Sequence, residues 1–188
     1  MASLIAAAVS PSYPAKIVLV LSNREDAAGL DIARRQEIKA HAIPHGDYDS
    51  REAHDAAMSE ALKAAKADIV YLAGYMRLLT PDFVKRWSGR MINIHPTLLP
   101  VFKGLNSHAR ALAAGVRIHG CTVHFVTEGM DEGPIIAQAA VEVLPNDTEE
   151  ALATRVLEAE HRLYPEALQM VARGAVRLSA GRALFRSA

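Results

Sequence analysis

The chain has 188 residues, which is enough for one medium-sized domain with a substantial hydrophobic core. Hydrophobic residues make up 51% of it and charged residues 22%, the proportions of an ordinary globular protein. The 21 basic and 21 acidic side chains give a formal net charge of zero, so the composition argues against a nucleic-acid or anionic-membrane partner.

The cysteine content and the amino-terminal segment favour a cytoplasmic protein. Cys121 is the only cysteine, so no internal disulfide can form. It lies in the strand-like run CTVHFV, where core packing is the expected role. The opening MASLIAAAV has a helical pattern and lacks the basic residues of a signal peptide. No stretch approaches the ~20 apolar residues of a membrane-spanning helix.

The first half of the chain alternates strand-like and helix-like segments. In chain order the predicted strands are KIVLVLSN, IKAHAIP, ADIVYLAG and MINIH, and the helices between them are REDAAGLDIARRQ, REAHDAAMSEALKAAKA and PDFVKRW. Ser50 precedes the second of these helices as a predicted N-cap, and Thr80 with Pro81 opens the third. This alternation predicts a parallel sheet covered by helices on both faces.

The pattern changes in the second half. SHARALAAG predicts a helix that ends at Gly115, and CTVHFV and PIIAQAAVEV, joined by TEGMDEG, predict an antiparallel pair. A long helix follows from Thr148, and AVRLSAGRALFR predicts a terminal hairpin. We therefore expect one domain over residues 1–188, of the α/β class, with a Rossmann-type, mostly parallel sheet and an antiparallel carboxyl-terminal portion.

Asn93 and His95 are the first candidates for chemistry. They lie two residues apart in MINIHP, so both side chains point to the same side of a strand, and Pro96 turns the chain directly after them. Ligands of parallel sheets bind outside the carboxyl ends of the strands, which is where this pair lies. The two residues alone leave a structural role open, as a turn amide and a buried histidine.

Asp131, in the turn-rich segment MDEGP, is the third candidate. In such a loop an aspartate is ordinarily a solvated turn residue. If the loop folds over His95, the carboxylate favours the imidazolium form and creates a general acid. The sequence has no GxSxG, P-loop or HExxH motif, and its eight histidines lack metal-ligand spacing, so no metal is predicted.

These segments carry a resemblance. NIHPTLLPVFKGLNSH, HGCTVHFV, MDEGPII and LAGYMRLL resemble the glycinamide ribonucleotide formyltransferase family, the folate-dependent enzymes of purine synthesis, over nearly the whole chain to about Gly174. The resemblance implies that Asn93, His95 and Asp131 are the catalytic residues. It also implies transfer of the formyl group of 10-formyltetrahydrofolate to 5-phosphoribosylglycinamide, with no metal.

The resemblance further implies the binding residues. The folate-binding residues would be Arg51, Met76, Arg77, Leu78, Leu79 and Asn93, and Glu160 would contact the glycinamide ribonucleotide. Taken singly, Arg77 is an ordinary loop charge and Glu160 an ordinary carboxylate on a helix. The expected partners are small molecules, without nucleic acid or membrane; the oligomeric state is left open, with a homodimer as one option.

Three other functions share parts of this pattern. A formyltetrahydrofolate hydrolase and a methionyl-tRNA formyltransferase resemble the chain around NIH and DEGPII, but each carries a further domain for which 188 residues leave no room. An inactive folate-binding paralogue is the third alternative. The intact set of Asn93, His95 and Asp131 argues against it.

The amino terminus departs from the family pattern. Members of the family open with a strand and a glycine-rich GxGSN loop, whereas MASLIAAAV already has the pattern of the helix that follows them. Such a loop at a helix N-terminus binds phosphate through its N–H groups. We therefore expect Met1 to be an internal methionine of a longer chain, from which ~13 to 15 residues are missing.

Overall fold

The computed structural model describes residues 1–186 as an α/β protein. Its helices are α1 (Ala2–Ala8), α2 (Ala28–Arg35), α3 (Arg51–Ala64), α4 (Pro81–Arg86), α5 (Ser107–Ala113) and α6 (Glu149–Ala172). Its strands are β1 (Val20–Ser22), β2 (Ala40–Ala42), β3 (Val70–Leu72), β4 (Met91–His95), β5 (Ile118–Phe125), β6 (Ile135–Glu142), β7 (Val176–Ser179) and β8 (Arg182–Phe185). A short 3-10 helix, His45–Asp47, precedes α3.

The strands form three separate hydrogen-bonded sheets. β1 and β2 are a parallel pair, β3-β4-β5-β6 form a four-stranded sheet, and β7 and β8 form an antiparallel hairpin. In the central sheet β3 and β4 run parallel, whereas β5 runs antiparallel to both of its neighbours, β4 and β6. The expected α/β class, the antiparallel carboxyl-terminal portion and the terminal hairpin are thus confirmed.

Helix starts follow the local signals in the sequence. The side-chain oxygens of Ser50, Thr80 and Thr148 accept hydrogen bonds from the backbone N–H groups three residues later, at 3.1, 3.3 and 3.1 Å. Each bond satisfies an N–H group that has no partner within its helix. All three predicted caps are therefore confirmed.

The early strands and the first long helix are shorter than predicted. KIVLVLSN contributes only Val20–Ser22 to a ladder, and within residues 1–186 β1 has a hydrogen-bonded neighbour on one side alone. The helix predicted from Arg24 begins only at Ala28. Arg24 instead pairs with Asp26 in the preceding turn, at 2.7 Å between Nη2 and Oδ2.

The two faces of the central sheet are covered by different helices. On one face α6 packs against Ile92, Val123 and Phe125, and the Tyr164 hydroxyl donates a hydrogen bond to the Leu72 carbonyl at 2.6 Å. On the other face α3 and α4 pack against the strand residues Val70 and Met91. Because side chains alternate along a strand, Asn93 and His95 project on the same face as Met91.

A cavity of about 480 Å³ separates the parallel pair from the central sheet. It is lined by residues 16–23 around β1, by residues 69–75 around β3, and by Met1 and Leu30. Within residues 1–186 no ladder joins β1 to β3, so each has an edge that faces this cavity.

No helix in the described part of the chain is long and apolar enough to cross a membrane.

Candidate active site

The candidate site lies at the carboxyl end of β4. The antiparallel register sets Asn93 opposite His124 and His95 opposite Thr122. Directly opposed residues on neighbouring strands present their side chains on the same face of the sheet. His95 is 8% exposed, so it is largely shielded from water.

The connection between β5 and β6 brings Asp131 to this strand end. Its Oδ2 lies 3.4 Å from Nδ1 of His95, and its Oδ1 lies 3.9 Å from Nε2 of His124. Asp131 has a φ of 52°, an uncommon value for a residue with a Cβ. The N–H of Gly104 donates a hydrogen bond to Asp131 Oδ2 at 3.0 Å, which ties the connection to the segment after β4.

The three residues predicted to act together, Asn93, His95 and Asp131, thus lie in one cluster. Their catalytic roles remain predictions. Nδ1 of His95 faces the carboxylate, whereas its Nε2 is buried and has no hydrogen-bond partner within residues 1–186. A buried polar atom of this kind is either costly or used by a ligand. The arrangement can therefore offer a proton or a hydrogen bond to a bound molecule through Nε2.

His124 is a member of the cluster that sequence reasoning missed. Its Nδ1 lies 2.9 Å from the Phe125 carbonyl, which can only accept, so Nδ1 carries the hydrogen. Burial lowers the pKa of His124 and so favours the neutral ring. Nε2 then accepts from the Asn93 amide at 3.5 Å and orients it. Asn93 and His124 are brought together by the register of β4 and β5. That register cannot be read from the sequence, so no signal in the sequence indicated His124.

The residues expected to bind folate lie on two other segments. The segment between β3 and α4 carries Met76 and Leu78, which are 75% and 57% exposed. Leu79 is half-buried against the core beneath α4, and Arg51 is exposed at the first position of α3. Large apolar side chains left uncovered on one loop are typical of a surface that binds an apolar ligand.

Glu160 occupies a different position. It lies on α6, which packs against the opposite face of the sheet, and its charged neighbour is the amino group of Met1. Burial raises the pKa of the Glu160 carboxyl to about 7, while the Met1 amino group opposes the shift. The structure does not bring Glu160 to the cluster around His95.

Within residues 1–186 no group of three His, Cys, Asp or Glu side chains is placed to hold a metal ion.

The fold and the site define the class of this protein: an α/β protein of Rossmann type with a His–Asp–Asn cluster at a strand end. A family profile described as formyl transferase matches residues 1–168. Phosphoribosylglycinamide formyltransferase of Escherichia coli (strain K12) is 43% identical over 159 residues, which cover 85% of this chain and 75% of that relative. The chain belongs to the formyl transferase family, and the resemblance described from the sequence is confirmed.

Two further comparisons agree with this assignment. A crystal structure of glycinamide ribonucleotide transformylase 1 from Symbiobacterium toebii superimposes with a TM-score of 0.95 at 45% identity, covering 99% of this chain and 88% of that one. The trifunctional purine biosynthetic protein adenosine-3 of Bos taurus is 53% identical over 168 residues. The chain spans only 17% of the length of that relative.

The close packing of Gly133 generates a prediction. A Cβ at this position would lie 1.6 Å from the Phe125 carbonyl oxygen, so Gly133→Ala must shift the connection that carries Asp131. We expect any activity that depends on the contact of Asp131 with His95 to fall by a factor on the order of 10² in this variant, because Asp131 moves away from His95. The measurement is kcat of the purified protein, with circular dichroism to verify folding.

Gly46→Ala is the matched control for this variant. A Cβ at Gly46 meets no atom within 4 Å, so its activity and melting temperature should stay close to those of the unmodified protein. A folded Gly133→Ala protein with unchanged kcat would contradict the view that this connection must hold its position.

Proposed function

We propose that the protein transfers the formyl group of 10-formyltetrahydrofolate to the amine of 5-phosphoribosylglycinamide. The observation that carries this proposal is the environment of the two ring nitrogens of His95. One ring nitrogen is 3.4 Å from a carboxylate, and the other is buried without a partner in residues 1–186. An imidazole held in this way suits proton transfer to a departing nitrogen. The names of the similar proteins support the choice of substrates.

The reaction needs no covalent enzyme intermediate. The substrate amine attacks the formyl carbon, and the carbonyl oxygen becomes negatively charged in a tetrahedral intermediate. The carbon–nitrogen bond to the folate then breaks, and His95 delivers a proton to the leaving nitrogen. The amine nitrogen, which is positively charged after the attack, releases one proton to solvent, and His95 regains a proton from solvent. Asp131, 3.4 Å from Nδ1 of His95, would hold the ring so that Nε2 is turned towards the leaving nitrogen. Much of the acceleration would come from aligning the two substrates.

Asn93 has a separate part in this proposal. Its amide donates one N–H to Nε2 of His124 at 3.5 Å, which leaves the second N–H for the developing oxyanion. An amide has no charge to lose, so this donor is present at every pH at which the protein is folded. His124 is then a positioning residue, because it orients Asn93 and needs no contact with substrate.

The remaining expectations belong to the same proposal. The folate would lie against the loop of Met76 to Leu79, with Arg51 towards its carboxylates, and Glu160 would contact the ribonucleotide. Small molecules would be the only substrates, and no metal would be required. The single cysteine and the use of a reduced folate support a cytoplasmic location.

His95→Ala and Asp131→Asn test the acid directly. Each should lower kcat by a factor on the order of 10² to 10⁴ while leaving the fold intact, because a positioned general acid is lost. Turnover is measured as tetrahydrofolate release with and without glycinamide ribonucleotide. Near-normal kcat in folded His95→Ala would refute the mechanism. Release that does not depend on the ribonucleotide would identify a hydrolase instead.

Asn93→Ala separates catalysis from binding. We expect kcat to fall more than KM for the folate rises, because the amide N–H acts mainly on the oxyanion of the transition state. Steady-state kinetics with each substrate varied in turn measures the two effects. A change confined to KM would make Asn93 a binding residue only.

The cavity between β1 and β3 supports a further element of the proposal. We infer that an extended segment fills it, pairs in parallel with both strands and leads into α1 through the glycine-rich loop expected from the resemblance. Two unpaired strand edges facing one cavity of about 480 Å³ support this inference. Unpaired backbone groups are costly when buried, and a strand satisfies both edges at once. The loop would bind the ribonucleotide phosphate.

An in-frame extension before Met1 tests this inference. A strand of branched apolar residues followed by a glycine-rich loop should raise the melting temperature and tighten glycinamide ribonucleotide binding, with less effect on the folate. An extension of equal length that carries proline within the strand is the control, since proline cannot join the ladder on both sides. The inference would be overturned if the chain of 188 residues and both extended forms had the same melting temperature and the same affinity for glycinamide ribonucleotide.

A further inference from the structure

The buried side chains His54 and Asp55 near the start of α3 are not used by the mechanism above. We propose that this pair positions the folate-binding loop, residues 73–79, and that it controls folate affinity without touching the folate. The inference rests on the proposed function, because it takes that loop as the folate site.

Asp55 holds the end of the loop. The residue is 2% exposed, and its Oδ2 accepts a hydrogen bond from the Thr80 N–H at 2.6 Å. Thr80 directly follows the loop and caps α4 through its hydroxyl. A buried carboxylate on a backbone N–H is among the stronger hydrogen bonds in proteins. The carboxyl end of the loop is thus tied to α3 by one side chain.

His54 ties a second segment to the same point. The residue is 1% exposed, and its Nε2 lies 2.9 Å from the Ile43 carbonyl. That carbonyl can only accept, so Nε2 carries the hydrogen. The ring of Tyr48 meets the His54 ring edge to face, with 5.4 Å between the centroids. The segment between β2 and α3 is therefore fixed to α3 as well.

The two side chains also face each other. Nδ1 of His54 lies 3.6 Å from Oδ1 of Asp55, and neither atom has a hydrogen-bond partner within residues 1–186. The two anchoring side chains therefore lie next to each other, and the two segments that they hold are joined at one point of α3.

The segments that meet at His54 and Asp55 also contain residues that are expected to bind the folate. Arg51 begins α3 one turn before the pair, and the loop that ends at Thr80 carries Met76 and Leu78. Both apolar side chains are mostly exposed, so they add little to the hold on the loop, whose other contacts are those of Tyr75 and Leu79 with the core. Since neither member of the pair is accessible to a ligand, its effect on binding must pass through the position of the loop.

The inference has a kinetic signature. If the loop is released, only a fraction of molecules holds it in the binding conformation, and the apparent affinity for folate falls by that fraction. The cluster of Asn93, His95 and Asp131 lies on other elements and stays assembled. KM for the folate should therefore rise, whereas kcat at saturation and KM for the ribonucleotide should change little.

Asp55→Leu and Asp55→Asn form the test. Leucine keeps the branched shape of the side chain, although it is larger, and it accepts no hydrogen bond, so KM for 10-formyltetrahydrofolate and Kd for tetrahydrofolate should rise about tenfold. Asparagine keeps an oxygen for the Thr80 N–H and adds an N–H for Nδ1 of His54. It should restore both constants to within about threefold of the unmodified protein. If Asp55 only filled space, folate affinity would be the same in Asp55→Leu as in Asp55→Asn.

Asp147→Asn is the matched control. Asp147 also accepts a backbone N–H, that of Leu144 at 2.8 Å, and also pairs with a basic side chain, Arg155, but it lies between β6 and α6. This variant should leave folate affinity unchanged. Folate affinity equal to that of the unmodified protein in folded Asp55→Leu would overturn the inference, as would an equal rise of KM for both substrates.

Hydrogen exchange on the unmodified protein provides a second test, which holds even if Asp55→Leu does not fold. The Thr80 amide should exchange far more slowly than the amides of Met76 and Leu78. Equal, fast exchange of all three would overturn the anchor. Failure of the proposed function has a different signature, since the unmodified protein would then bind no tetrahydrofolate in calorimetry.

Discussion

The antiparallel pairing of β4 with β5 is the constraint on which the site depends. It sets His95 opposite Thr122 and Asn93 opposite His124, all on one face of the sheet. A slip of one residue would turn His95 towards α6 and bring Ile94 to the site. Thr122 opposes such a slip, because its hydroxyl donates to the Thr97 carbonyl at 2.7 Å and accepts the Leu99 N–H at 3.0 Å.

The same pairing carries the carboxylate to the imidazole. β5 leads directly into the connection with Asp131, whose left-handed backbone conformation is retained because the surroundings hold it on several sides. Its carboxylate accepts the Gly104 N–H, and the next residue, Glu132, pairs with Lys103 at 2.9 Å. A residue with an uncommon backbone conformation thus lies beside the reacting groups and is held by contacts to the segment that follows His95.

The molecule consequently has two parts with different kinds of support. The part around β4, β5 and α6 is joined by continuous ladders and a common core, and it carries the proposed chemistry. The part around β1, β2 and α3 lacks a ladder to the central sheet within residues 1–186 and borders a cavity. Here single side chains such as Asp55 hold the loops. Substrate binding is accordingly the function most open to change by substitutions far from the reacting atoms.

The sequence by itself determined the features that arise from local interactions. The order of elements, the caps at Ser50 and Thr80, and the shared face of Asn93 and His95 all depend on residues a few positions apart. The tertiary structure alone decided the lengths of the early strands, the place of His124 beside Asn93, and the burial of Asp55 under Thr80. These features depend on strand register and burial, which join residues 25 to 31 positions apart and leave no periodic trace in the chain.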